Sequence, residues 1–310
     1  MEYRQEHQRF QSSRHPLPDS RPPIPALRFP PPDFHPQFVS GCMKSLHVVR
    51  YGDGVPILFV HGNPSTHTLW RPLTERLSDS FTVLAVDLPG FGASGSPLHA
   101  GGFRLGQMAA SLAQCCQEHG LDQFHLVGHS FGAAVSATLA TLAPEKVLSL
   151  ALITPLGLRT PPVGRLAGFG WLRRAAGAVW PRLPVRVKGM VAKGGARLSY
   201  GAAYHPRRGA EIAQEAQRHD LPRSMSLLML EADLQEYRTT LCQLQQLQPI
   251  PLLLIGAGLD RIVPFRQFQQ VAALLPRAHR HIFPDSGHVP MWQYPAEVER
   301  LIREHLAKCG

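Results

Sequence analysis

Residues Phe124-His-Leu-Val-Gly-His-Ser130-Phe-Gly-Ala-Ala134 decide the fold. An apolar run ends on a glycine, one serine stands at the corner, and small residues that suit a helix follow. The G-x-S-x-G spacing of Gly128, Ser130 and Gly132 predicts a tight strand-to-helix turn that holds the serine in a strained backbone conformation. The two glycines leave room where side chains would collide. Such a turn keeps the hydroxyl clear of both elements, and the free N–H groups of the new helix face any anion formed beside it. Ser130 is therefore the candidate nucleophile. A serine hydroxyl attacks poorly until a base takes its proton and a third group orients that base, so an acid and a histidine are required elsewhere.

Working outward, strand and helix signals alternate. Strands are predicted over 81–86, 124–127, 147–153, 252–256 and 279–283, and helices over 69–77, 103–119, 131–142, 264–275 and 295–306. Upstream, residues 45–50 and 57–60 read as a hairpin around the turn Tyr51-Gly-Asp-Gly54, leading into a buried strand. This rhythm defines the α/β class, with a mostly parallel sheet covered by helices on both faces. It breaks at Pro155 and resumes near Pro251. The expected organisation is a flexible proline-rich leader over 1–40, a core formed by 41–155 and 249–310, and a helical cap over 156–248. Helical periods at 210–218 and 227–247 support the cap, which is expected across the C-terminal edge of the sheet, where open α/β sheets bind ligands.

Composition narrows the class. The chain has 310 residues, 44% of them hydrophobic, enough for one large core. Its five cysteines include the adjacent Cys115 and Cys116 and no C-x-x-C, so neither a disulfide framework nor a zinc site is indicated. No apolar run reaches 18 residues and the N-terminus lacks the apolar core of a secretory signal, which makes a cytoplasmic location the expectation.

The required partners lie downstream. Asp260, in Gly256-Ala-Gly-Leu-Asp260, follows an apolar strand, which places its carboxylate at the same sheet edge as Ser130. His288, in Pro284-Asp-Ser-Gly-His288, sits in the loop after the next strand. The strand before the insertion ends Leu152-Ile-Thr-Pro155, with no carboxylate to compete for the acid's place. Asp87, in Asp87-Leu-Pro-Gly-Phe-Gly92, is better explained as a brace for its own glycine-rich turn. His61 and His129 read as packing or loop-bracing residues near the site.

The order Ser, Asp, His, together with His61-Gly-Asn-Pro64, the Asp87 turn and Gly128-His-Ser-Phe-Gly132, resembles the α/β-hydrolases, in their capped branch. The resemblance runs from about residue 45 to 306. It implies an oxyanion hole formed by the backbone N–H groups of Asn63 and Phe131, and it implies neither a metal nor an organic cofactor. His61-Gly-Asn-Pro64 and Leu69-Trp70-Arg71 are similar to haloalkane dehalogenases, but those enzymes and the capped epoxide hydrolases attack with an aspartate where this chain has Ser130. The expectation is a serine hydrolase that cleaves a carboxylic ester or thioester with an apolar acyl part. Carbon–carbon bond hydrolysis, acyl transfer on the same residues, and a non-catalytic binding protein are the alternatives.

Charge adds one expectation about partners. The net charge is +10, and residues 159–210 carry eleven Lys or Arg and no Asp or Glu. Phe169, Trp171, Leu172, Val179 and Trp180 interleave with those bases, a composition suited to an anionic membrane surface or an anionic acyl carrier, with peripheral membrane contact. Nucleic acid is not expected, since no binding motif accompanies the charge.

Overall fold

Apolar runs of six or seven residues form the central strands, buried on both faces, because the chain returns through a helix after nearly every one. The computed structural model describes residues 46–95, 102–159, 179, 182–201, 204, 206–218, 233–247 and 250–309; the leader and residues Phe169, Trp171, Leu172 and Trp180 lie outside them. The strands are β1 (Val48–Tyr51), β2 (Val55–Val60), β3 (Phe81–Val86), β4 (Phe124–His129), β5 (Val147–Ile153), β6 (Leu252–Ala257) and β7 (His279–Phe283). They make one sheet in the order β1-β3-β2-β4-β5-β6-β7, parallel throughout except where β1 runs against β3.

Period-two alternation sorts the strand side chains into two cores. Leu58, Val60, Leu84, Leu126, Leu150, Leu152 and Leu254 point to one. Ile57, Phe59, Val83, Val127, Ala151, Ile153 and Ile255 point to the other. The first core is covered by α2 (Leu105–Glu118), α3 (Phe131–Leu142), α6 (Leu234–Gln246) and α7 (Phe265–Leu274). The second is covered by α1 (Arg71–Leu77) and α9 (Pro295–Leu306), with Met291 of the short α8 (Pro290–Gln293). Burying one such Leu or Ile contributes about 1.5–3 kcal/mol, so each face holds its helices firmly.

Between β5 and β6 the described residues form helices only: α4 (Val185–Tyr200), α5 (Pro206–Arg218) and α6. These helices differ in what they pack against. Tyr237, Leu241 and Leu244 of α6 join the first sheet face, whereas Ala196 and Tyr200 of α4 join the second core.

The expected hairpin is not formed. β1 pairs with β3 and not with its sequence neighbour β2. Gly52 and Gly54, at φ +67° and +142°, carry the chain across the start of β3, where an added Cβ would come within 2.2 Å of the Ser78 carbonyl oxygen and 2.4 Å of that of Ser80. A glycine-rich turn marks the change of direction but not which strand receives the return.

Several histidines are sealed in this framework. Burial depresses His61, His125, His129 and His305, with His125 and His305 taken down to about 4. Below pH 6.5 the unfolded chain binds protons that these folded histidines refuse. Their contribution to stability is therefore complete above pH 6.5 and is lost as pH falls toward 4. Each histidine adds a slope of up to about 1.4 kcal/mol per pH unit. Guanidinium unfolding at pH 7.5, 6.0 and 5.0 should show a steep fall in stability across this range; an unchanged midpoint contradicts the assignment.

Candidate active site

The serine turn is built by close backbone approach. Ser130 has φ +53° and ψ −118°, a conformation that costs an L-residue about 1–3 kcal/mol and persists only where its surroundings enforce it. Its N–H donates to the Ile153 carbonyl at 3.0 Å, and its own carbonyl accepts from Ala133 and Leu156 at 3.1 Å each. Both motif glycines are required sterically. A Cβ on Gly132 would lie 2.3 Å from the His61 carbonyl oxygen and 2.4 Å from that of Val60, and one on Gly128 would lie 2.7 Å from Ala133 Cα. The same packing brings residues 61–64, the candidate oxyanion loop, against the turn: a Cβ on Gly62 would meet Ser130 Cβ at 2.8 Å. Asn63 therefore follows directly on a residue seated against the serine. Phe131 opens α3, so its N–H is one of the amides the helix leaves unpaired internally.

Asp260 and His288 are brought together. Asp260 Oδ1 accepts from the N–H groups of Ile262 and Val263 at 2.8 and 2.9 Å. Its Oδ2 stands 2.7 Å from His288 Nδ1. Ionised, this carboxylate can only accept, so the His288 tautomer is set with its proton on Nδ1 and a lone pair on Nε2. That Nε2 is buried and has no hydrogen-bond partner among the described residues.

His288 is joined to the serine turn through its carbonyl oxygen, which accepts from His129 Nε2 and from Thr154 Oγ1, both at 2.9 Å. His129 is the residue before Ser130, and its ring centroid lies 4.7 Å from that of His288. Thr154 closes β5 at φ +39°. Thr154 carries no local signature in the sequence: a β-branched residue at positive φ is unusual, and no flanking pattern reveals the angle.

The loop braces act as read from sequence. His61 Nδ1 bonds the Gly62 carbonyl at 2.8 Å and its Nε2 accepts from Leu88 N–H at 2.9 Å, tying the loop after β2 to the glycine-rich turn. Asp87 accepts from His67 N, His67 Nδ1 and Ala93 N. Burial alone would push its pKa up, but these donors and His61 outweigh that and hold it at about 2. His47, His67 and Asp87 offer metal-type ligand atoms within 4.8 Å of one another, but the 2.9 Å contact of His67 Nδ1 with Asp87 Oδ1 is a hydrogen bond that closes this corner. A cleft of about 190 Å³ lined by Pro251, Arg277, His279 and His305 opens at the opposite, N-terminal edge of β6 and β7, away from these residues.

A mostly parallel sheet with a strained serine turn at its C-terminal edge and an Asp–His pair on the neighbouring loops defines a hydrolase-type α/β protein. Residues 55–295 match the alpha/beta hydrolase fold family, and the chain belongs to it. Among curated relatives it is 44% identical over 113 residues to the dihydrolipoyllysine-residue acetyltransferase component of the acetoin cleaving system of Cupriavidus necator, a match covering 35% of this chain and 30% of that protein. It is 33% identical over 111 residues to a haloalkane dehalogenase of Agrobacterium fabrum, covering 36% of each. The chain thus spans about a third of each of these two relatives. Among solved structures it is similar to a thermophilic esterase from Thermogutta terrifontis, with a TM-score of 0.68 and 26% identity over 85% of this chain and 93% of that one.

Proposed function

We propose that the protein is a serine hydrolase that cleaves a carboxylic ester or thioester with an apolar acyl part. The observation that carries this reading is His288, held by Asp260 through Nδ1 at 2.7 Å and keeping a buried, unpartnered Nε2 on the loop fastened to the Ser130 turn. In the mechanism, His288 Nε2 takes the Ser130 hydroxyl proton as Oγ bonds to the acyl carbon. The carbonyl electron pair moves to oxygen, where the N–H groups of Asn63 and Phe131 receive it. Collapse expels the alcohol or thiol, which takes the proton from His288, and leaves the acyl group on Ser130. Water then gives a proton to His288 and attacks the same carbon, and the acid leaves as Ser130 recovers its proton. The similarity to an esterase supports the substrate class.

Acyl transfer is a second reading, favoured by the relative named as an acetyltransferase component. A further element concerns location at an anionic lipid surface. Helix α4 carries Arg186, Lys188, Lys193 and Arg197 and no acid, and on its exposed face Met190, Val191 and Leu198 are 65%, 55% and 45% exposed. Apolar side chains among cations suit the boundary of an anionic bilayer. No described helix is long and apolar enough to cross a membrane.

Turnover of a chain-length series of p-nitrophenyl esters tests the reading, run with and without methanol as competing acceptor and with phosphatidylglycerol or phosphatidylcholine vesicles. The expected result is hydrolysis that rises with acyl length, with stimulation by the anionic vesicles alone. Predominant methyl ester formation would favour transfer, and no turnover of any ester would contradict the proposal.

A further inference from the structure

The residues between β5 and β6 reach the base as well as the solvent. At the C-terminal end of α4 the Ser199 carbonyl accepts from His288 N–H at 3.1 Å. Gly287 permits this approach, since a Cβ there would stand 3.3 Å from the same oxygen. Both peptide groups of His288 are thus tethered, the carbonyl by the core residues His129 and Thr154 and the N–H by α4.

One buried cation secures that joint. Arg208 of α5 is 3% exposed. Its Nε donates to Tyr200 Oη at 3.2 Å, its Nη1 to Glu211 at 3.0 Å and its Nη2 to Thr68 Oγ1 at 3.0 Å. Its guanidinium lies 5.0 Å from the ring centroid of Trp292. Trp292 in turn meets the Tyr200 ring at 5.6 Å and donates from Nε1 to the Leu69 carbonyl at 2.7 Å. Arg208 therefore touches α4, the segment after the oxyanion loop and the segment after His288 at once.

Desolvating a cation is costly, and an apolar side chain of similar size often stabilises a fold as well or better. What a guanidinium adds is a rigid planar fork of donors that fixes several groups relative to one another. We propose that Arg208 is a positioning residue: by locking Tyr200 and Trp292 it holds the Ser199 carbonyl on His288 N–H, and so sets the base against Ser130. This rests on the reading of Ser130 and His288 as nucleophile and base. A displacement near 1 Å at such a group costs on the order of 100-fold in rate.

The test is the rate of covalent labelling by a fluorophosphonate, which needs only Ser130, its base and the oxyanion donors, together with p-nitrophenyl acetate kinetics. Arg208→Met is expected to slow labelling roughly 10- to 100-fold and to lower kcat by the same factor, with KM changed less than about twofold. In a His288→Ala background the same substitution should remove nothing further from the residual activity, because its route to the chemistry is already cut. Gly287→Ala, which presses on the Ser199 carbonyl without touching Arg208, should give a loss of the same kind, and it carries the test if Arg208→Met does not fold. Labelling of Arg208→Met and Gly287→Ala at the wild-type rate overturns the proposal while leaving the nucleophile assignment intact. An equal loss with and without His288 also overturns it. Absence of labelling in the wild type overturns the underlying reading, and this proposal with it.

Discussion

Replacing Ser130 with Ala is expected to lower ester turnover by on the order of 10⁴- to 10⁶-fold, with the fold unchanged. Ser130 makes no side-chain capping bond to α3, so losing the hydroxyl removes no structural contact of that helix. Alanine must still adopt φ +53°, a conformation the Ile153, Ala133 and Leu156 backbone bonds enforce, so circular dichroism and the thermal transition should match wild type to within a few degrees. Asp260→Asn tests the same chemistry one step removed. An amide in place of Oδ2 can donate where His288 Nδ1 requires an acceptor, favouring the tautomer with the proton on Nε2, and a loss of roughly 10⁴-fold is expected. Steady-state kinetics on a p-nitrophenyl ester reads both. A Ser130→Ala protein that keeps more than about a tenth of wild-type turnover would remove the serine from the mechanism.

Gly132→Ala is expected to be strongly destabilising for a one-methyl change. The new methyl would sit 2.3–2.4 Å from two backbone carbonyl oxygens, those of His61 and Val60. These belong to the end of β2 and the loop that follows it, which cannot rotate aside as a side chain tip does. Overpacking ordinarily costs about 1–3 kcal/mol, and a clash with fixed backbone belongs at or above the top of that range. Urea unfolding should show a loss of at least about 3 kcal/mol, and any folded fraction should turn over poorly because α3 and the proposed oxyanion loop have been forced apart. A variant with wild-type stability would mean that this approach is looser than the structure describes.

Much of this architecture is legible in the sequence because its boundaries carry local chemistry. α3, β5, β7 and α9 begin and end at the residues their patterns predict, since serine, proline and glycine punctuate the apolar periods there. The Asp260–His288 pair is legible for a related reason, as the two residues stand in the loops that follow two successive strands of one sheet edge. The turn at Gly52 and Gly54 is not, because two glycines look alike whether the chain folds back on its neighbour or steps over β3. Thr154 and Arg208 stay hidden for another reason. Thr154 acts on a carbonyl 134 residues away and Arg208 on a hydroxyl 140 residues away, and neither contact leaves a local pattern. Helix α4 is obscured too, because Gly189, Gly194 and Gly195 and its exposed apolar residues blur the helical period.

A covalent acyl group at Ser130 is the central intermediate of the proposed mechanism. Reaction with excess p-nitrophenyl acetate, quenched in acid during steady turnover and analysed by peptide mass spectrometry, should place an acetyl group on the peptide containing Ser130, with a matching initial burst of p-nitrophenol. In Asp260→Asn the adduct should form more slowly, and in Ser130→Ala it should be absent. Turnover with no adduct at Ser130, or with the adduct on another residue, would contradict the mechanism.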